Sequence, residues 1–362
     1  MTKGLSIYLD LMRFTLAVIV WICHSTYRGY TGHPFALWFV FPYGLSAVMS
    51  FFVLSGFVIA HVTEKTERDP IPYAIARVSR LYSVIIPALA LTAACDWAGT
   101  LTHPPFEGPV ALPDHLAQGY LASFFMVNNF WIFASGIFPA GMTPGTNGPF
   151  WSLSYEMAYY VIFGLYLTRS RTALALGTIL IFALAGWDIL ALFPIWLLGV
   201  ITYHVQKRHR LHPAIAATLF VSSAGAAVLV GWLRLDYDYS RGMPLAIDYA
   251  VAILTALNII AASSLSGWLA AALATSAPLI RWLGGLTFVI YLCHYPLLKL
   301  FAAYPVGQAG SAAQQVWLFG GSFMVMAALA KATNIWRSRL RLALLILVRR
   351  VSVAPSPISL SK

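Results

Sequence analysis

The sequence predicts an all-α, polytopic membrane protein of about ten transmembrane helices, with both termini in the cytoplasm. Three observations carry this. Apolar side chains make up 60% of the 362 residues. Charged residues make up only 10%, against about a quarter in a soluble domain. Apolar stretches also recur at the length of about 20 residues needed to cross a bilayer core. A soluble enzyme, a disordered chain and a nucleic-acid-binding domain are thereby excluded, despite a net charge of +11. That excess suits cytoplasmic loops beside acidic headgroups, so the expected partner is the bilayer and not a nucleic acid.

The first run, 5–27, is interrupted by Asp10 and Arg13 and shows no small-residue cleavage site, so it reads as a retained span and not a signal peptide. Spans at 42–62 and 81–101 follow, joined by the charged loop HVTEKTERDPIPYAIARVSRLYS (61–83). The stretch 118–138 is apolar but carries Asn128 and Asn129 among Gly and Pro. Further spans are placed at 150–168, 172–189, 190–206, 213–233, 244–264, 283–303 and 314–336. The positive-inside rule decides the status of 118–138. If it does not cross, the basic residues at 65–80, 169–171, 207–210, 281 and 337–341 all face the cytoplasm. Only Arg28, Arg234 and Arg241 then stay outside, and the outer loop 102–117 carries no Lys or Arg. The stretch is therefore expected to lie at the outer surface or dip in. The segment RSRLRLALLILVRRV (337–351) reads either as a basic amphipathic helix on anionic lipid or as the solvated end of the last span. The chain divides accordingly into a membrane domain, 1–336, and a basic tail, 337–362.

Ionisable groups within spans cost about 2.5–3.5 kcal/mol each on insertion scales, which makes them the first place to seek function. Arg13 and His24 are eleven residues apart, so a helix returns them to within about 20° of one azimuth, roughly 16 Å apart along the axis. Singly, each is better explained by snorkelling or a buried polar contact. Together they suggest a polar passage. Glu156, in FWSLSYEMAYY, and His294, in YLCHYP, fall at a depth similar to His24. For Glu156 the plain alternative is an ion pair between helices, and for His294 a satisfied core histidine beside Pro296. A low-dielectric setting favours the neutral imidazole, the form a general base requires. Two histidines and a carboxylate can deprotonate a hydroxyl, but they lack the spacing of a metal site. Cys23, Cys95 and Cys293 sit in apolar contexts and form neither a disulfide scaffold nor a zinc site. Arg77 and Arg80, three apart, would project together beneath the membrane and suit a phosphate-bearing ligand, although topological anchoring alone would also explain them. Asp188 and Asp248 have no evident partner.

Five segments in order carry a family resemblance over nearly the whole chain: LDLMRFTLAVIVWICH (9–24), SFFVLSGFVIA (50–60), ARVSRLY (76–82), WSLSYE (151–156) and LGGLTFVIYLCHYP (283–296). The chain resembles a stand-alone member of the membrane-bound acyltransferase 3 family, which includes O-antigen, exopolysaccharide and nodulation-factor acetylases. It departs from the family pattern at Thr287 and Phe288, where Ser-Tyr is common, at Ser83, where Pro often stands, and at Tyr155, where a small aliphatic is usual. The appended hydrolase-like domain of some relatives is expected to be missing, so transfer would be completed within the membrane unit.

The resemblance implies an O-acyltransferase of the cell membrane (the inner membrane in a Gram-negative cell). It would move an acyl group, most often acetyl from acetyl-CoA, to a sugar hydroxyl of a lipid-linked or extruded glycan. Arg13, Arg77 and Arg80 would meet the donor's phosphates. His24 would take the proton from the acceptor, with Glu156 orienting either His24 or the acceptor. His294 and Tyr291 would bind substrate. Ser152 and Ser154 would donate to a developing oxyanion, though helix packing explains them as well. No metal is required. The alternative is a transporter or flippase of a glycan or small anionic solute, which would also place polar residues at the midplane but would be expected to show paired half-helix breaks.

Overall fold

The computed structural model describes residues 1–26, 38–100, 115–134, 142–236, 244–308 and 310–353. Arg28 and Arg241, most of the loop 102–117, residues 135–138 and the tail beyond 353 lie outside the described residues. All regular secondary structure among the described residues is helical.

Helix α1 (Lys3–Ser25) begins at Thr2, whose hydroxyl accepts from the Leu5 amide at 3.4 Å and so satisfies one orphan donor of the first turn. Helix α2 (Tyr43–Lys65) and helix α3 (Pro70–Thr100) follow. The short helix α4 (Leu116–Phe124) spans about 14 Å, too little to cross a core of about 30 Å. Beyond it Met126 adopts φ 57°, which a helix cannot continue through. The chain then folds inward: Asn128 is buried, and its Oδ1 accepts from the Ser154 hydroxyl at 3.0 Å. Ser154 in turn accepts from the Asn129 amide at 3.0 Å. The described part of the ambiguous stretch, 118–134, is therefore most of one short helix, a loop pinned to the next long helix, and a single helical turn, Trp131–Ala134.

That helix is α5 (Trp151–Leu167), followed by α6 (Arg171–Ala185), which is capped by Ser170 through the Ala173 amide at 3.2 Å. Gly186, at φ 94°, breaks the chain before α7 (Trp187–Arg208), and a side chain there would strain the backbone. Helices α8 (Pro213–Trp232), α9 (Leu245–Ser264), α10 (Ser266–Ala272) and α11 (Ala277–Ala303) follow. A helical turn and a π-helical segment, Val316–Gly321, lead into α12 (Ser322–Val353).

Among the described residues eight helices are long and apolar enough to cross a membrane: α1, α2, α3, α7, α8, α9, α11 and the helix through α12. Helices α5 and α6, with 17 and 15 residues, reach only about 26 and 23 Å. The last helix runs unbroken from the membrane through 337–353, so no structural boundary separates a tail from the final span.

The helices meet where their sequences allow close approach. At the crossing of α2 and α7, Gly56 lies against the Trp196 carbonyl and Gly199 against that of Val53. Small residues at a crossing let backbones approach when no water drives helices together. Above and below this contact, Phe52, Tyr155, Tyr159, Trp196 and Phe163 form a continuous aromatic core. Asp248 does have a partner: it is fully buried with Arg234, which also donates to the Ser46 hydroxyl at 2.9 Å.

Candidate active site

A cavity of about 340 Å³ opens between α1, α2, α3, α5, α11 and α12. It is lined by Arg13 from α1, Ser55 from α2, Arg77 and Arg80 from α3, Ser152, Glu156 and Tyr160 from α5, Arg281 and Tyr291 from α11, and Asn334 and Arg337 from α12. Along α11 the lining runs from Arg281 to Tyr291, about 15 Å of rise. One end is thus rich in guanidinium and the other ends on hydroxyls.

At the cationic end, Asp10 pairs with Arg13 at 3.4 Å, and Glu67 accepts two bonds from Arg77 Nη2 at 2.9 and 3.1 Å. The Arg77 guanidinium also lies 5.6 and 5.8 Å from the ring centres of Tyr73 and Tyr160, within cation–π range. Its Nε and Nη1 are buried and have no hydrogen-bond partner among the described residues. Arg80, Arg281 and Arg337 form no ion pair among the described residues. Arg13, Arg77, Arg80, Arg281 and Arg337 all line the same concave surface. Like charges held this close around a concave surface focus potential for an anion.

Midway along the cavity, Glu156 Oε1 accepts from Tyr160 and, at 3.1 Å, from Ser55. Ser55 is itself held by the Trp196 indole N–H at 3.2 Å. At the far end the Ser152 and Tyr291 hydroxyls lie 2.7 Å apart and link α5 to α11. One helical turn beyond Tyr291 stands His294, fully buried, its Nδ1 2.8 Å from the Ile290 carbonyl oxygen. Its Nε2 is 2.9 Å from Nδ1 of His24. The edge of Tyr295 packs against the His24 ring, with centroids 5.1 Å apart.

Of the residues expected from sequence, Arg13, Arg77, Arg80, Ser152, Glu156 and Tyr291 come together on the one cavity. His24 and His294 form a pair of their own next to its hydroxyl end and are not among its lining residues. Ser154 bonds to the Asn128–Asn129 loop and is not among the residues that line the cavity, an arrangement that matches the helix-packing alternative. Three of the four departures from the family pattern, Ser83, Thr287 and Phe288, do line the cavity, whereas Tyr155 is buried against Asn129 and Phe52. Arg281, Arg337, Asn334, Ser55 and Tyr160 also line the cavity, although nothing in the sequence marks them as site residues.

Residues 6–331 match the family described as acyltransferase domain, from the first turn of α1 into the first third of α12. Over 299 residues the chain is 27% identical to the exopolysaccharide production protein ExoZ of Rhizobium meliloti (strain 1021), an alignment covering 78% of this chain and 82% of that protein. No solved structure matches the chain significantly. With the match covering about nine-tenths of the chain and every cavity-lining residue up to Tyr291, this chain belongs to the acyltransferase 3 family of multi-pass membrane proteins.

Proposed function

We propose that the protein transfers an acyl group, acetyl in the simplest case, from cytoplasmic acyl-CoA to a sugar hydroxyl of an exopolysaccharide or its lipid-linked precursor. The observation that carries this reading is the polarity of the cavity: five arginines at one end, and hydroxyls beside a histidine pair at the other. Acyl-CoA has the same polarity. Its phosphates would sit among Arg13, Arg77, Arg80, Arg281 and Arg337. Its pantetheine arm, extended and about half a bilayer long, would thread past Glu156 towards Tyr291. A cavity of this volume lies at the low end for ligand pockets, so it suits an extended arm and leaves the nucleotide at the mouth.

His24 would act as general base. The acceptor's O–H proton passes to the imidazole, the oxygen bonds to the thioester carbonyl, the C–S bond breaks, and the proton leaves with the CoA thiolate. Glu156, tethered through Oε1, keeps its second oxygen for orienting an incoming hydroxyl. Ser152 and Tyr291 would hold the reacting carbonyl. The acceptor class draws support from the Rhizobium relative's part in exopolysaccharide production, and the location would be the cell membrane that exports such a polymer. The test is transfer of radiolabel from acetyl-CoA to exopolysaccharide or glycolipid by purified protein in lipid nanodiscs. Transfer abolished in His24→Ala supports the reading. Unimpaired transfer in that variant, or uptake of label without acylation, overturns it.

A further inference from the structure

We infer that His294 is the positioning residue that fixes the tautomer of His24. This rests on the acyl-transfer reading above, and it assigns His294 a role other than contact with substrate. A carbonyl oxygen can only accept, so the 2.8 Å contact with Ile290 requires a proton on His294 Nδ1. His294 is fully buried, and no carboxylate faces it among the described residues. A charge there would be uncompensated, so the ring is neutral and its Nε2 carries a lone pair. That lone pair meets His24 Nδ1 at 2.9 Å, which must therefore donate. His24 is left protonated at Nδ1, with the basic lone pair on Nε2. The direction of the His24–His294 bond thus follows from the Ile290 carbonyl on α11, while His24 also meets the Val20 carbonyl on its own helix.

The arrangement does for His24 what a buried carboxylate does for the histidine of a serine-protease triad: it holds the ring and selects the nitrogen that takes the proton. It does so without an anion, which suits a site at membrane depth where a lone charge is costly. When Nε2 accepts the acceptor's proton, the Nδ1 proton of the resulting imidazolium remains shared with His294 Nε2.

The experiment combines kinetics with ¹⁵N NMR of histidine-labelled protein in nanodiscs, His24→Gln identifying the His24 resonances. In the wild type, His24 should appear as the Nδ1–H tautomer. His294→Leu should lower kcat about 100-fold, the scale of lost base catalysis, with the KM for acetyl-CoA unchanged. His294→Gln, whose carbonyl can accept from Nδ1–H while its amide donates to Ile290, should recover kcat to within about tenfold. An Nε2–H tautomer in the wild type overturns the inference, and so does wild-type kcat in His294→Leu. If His294→Leu does not fold, the wild-type spectrum and His294→Gln decide. The acyl-transfer reading fails separately, on an active His24→Ala.

Discussion

The side-chain amide of Asn147 donates to the Leu292 carbonyl at 2.9 Å, and that carbonyl is the acceptor which Pro296 leaves without a helical partner. A proline inside a helix removes the bond to the residue four before it. Here a loop residue fills the gap, and its other bond, to Thr92 at 2.9 Å, ties the same point to α3. The segment of α11 so braced carries Tyr291 and His294. Asn147→Ala should leave a buried carbonyl unsatisfied and cost about 1–3 kcal/mol. A lowered midpoint in thermal unfolding in detergent, with a fall in kcat, is expected. Unchanged stability would mean that α11 does not depend on the brace.

Arg77 and Arg80 sit three residues apart but should fail differently. Arg77 and Glu67 are nearly buried, with 9% and 11% of their side chains exposed. Removing one partner of such a pair typically costs about 3–5 kcal/mol, so Arg77→Met should lose folded protein in size-exclusion chromatography. Arg80 has no ion pair among the described residues. Arg80→Ala should leave folding intact and raise the KM for acetyl-CoA about 10- to 100-fold, the loss of a charge-assisted phosphate contact. Equal KM in wild type and Arg80→Ala would argue that the donor's phosphates bind elsewhere.

How much of this was legible in the sequence depended on what each residue's neighbours in the chain could reveal. Arg13, Glu156 and His294 stand out because a charge or imidazole in an apolar run is costly and needs a reason. Arg281 and Arg337 did not stand out, since a basic residue near a span end has the same signature whether it faces headgroups or a cavity. Ser55 and Tyr160 were hidden for a related reason: hydroxyls are common in apolar helices, and only the fold puts both on Glu156. The shared azimuth of Arg13 and His24 was readable from the helical period. That one lines the cavity while the other meets His294 was not, because the pairing spans 270 residues of sequence.

The α2–α7 crossing offers a test that connects packing to the site. A Cβ on Gly199 would collide with the Val53 carbonyl, and one on Gly56 with that of Trp196. Backbone cannot yield as a flexible side chain does, so Gly199→Ala should cost about 1–3 kcal/mol. It should also lower kcat, because the same crossing holds Trp196 against Ser55 and Ser55 against Glu156. Gly225→Ala on α8, where a Cβ meets nothing within 4 Å, is the control and should match wild type in both measurements. A Gly199→Ala protein as stable and active as the control would show that the two helices can separate freely.

The last helix separates two views of the C-terminal segment. If the functional unit ended at 336, residues 337–362 would be a dispensable basic tail. Yet Asn334 and Arg337 both line the cavity, and they lie three apart on one unbroken helix, so the site extends across that boundary. Beyond Arg341 the exposed side chains are mainly Leu342, Leu345, Ile346 and Leu347, which touch no part of the cavity. Truncation after Arg341 should therefore preserve kcat and the KM for acetyl-CoA, whereas truncation after Trp336 should raise that KM by at least about tenfold, as should Arg337→Ala in the full chain. Vesicle flotation at matched expression separates this from loss of membrane insertion, since only a shift in KM with protein still in the lipid fraction bears on the donor site. If both truncations behave alike, Arg337 does not meet the donor and the cationic end of the site stops at Arg281.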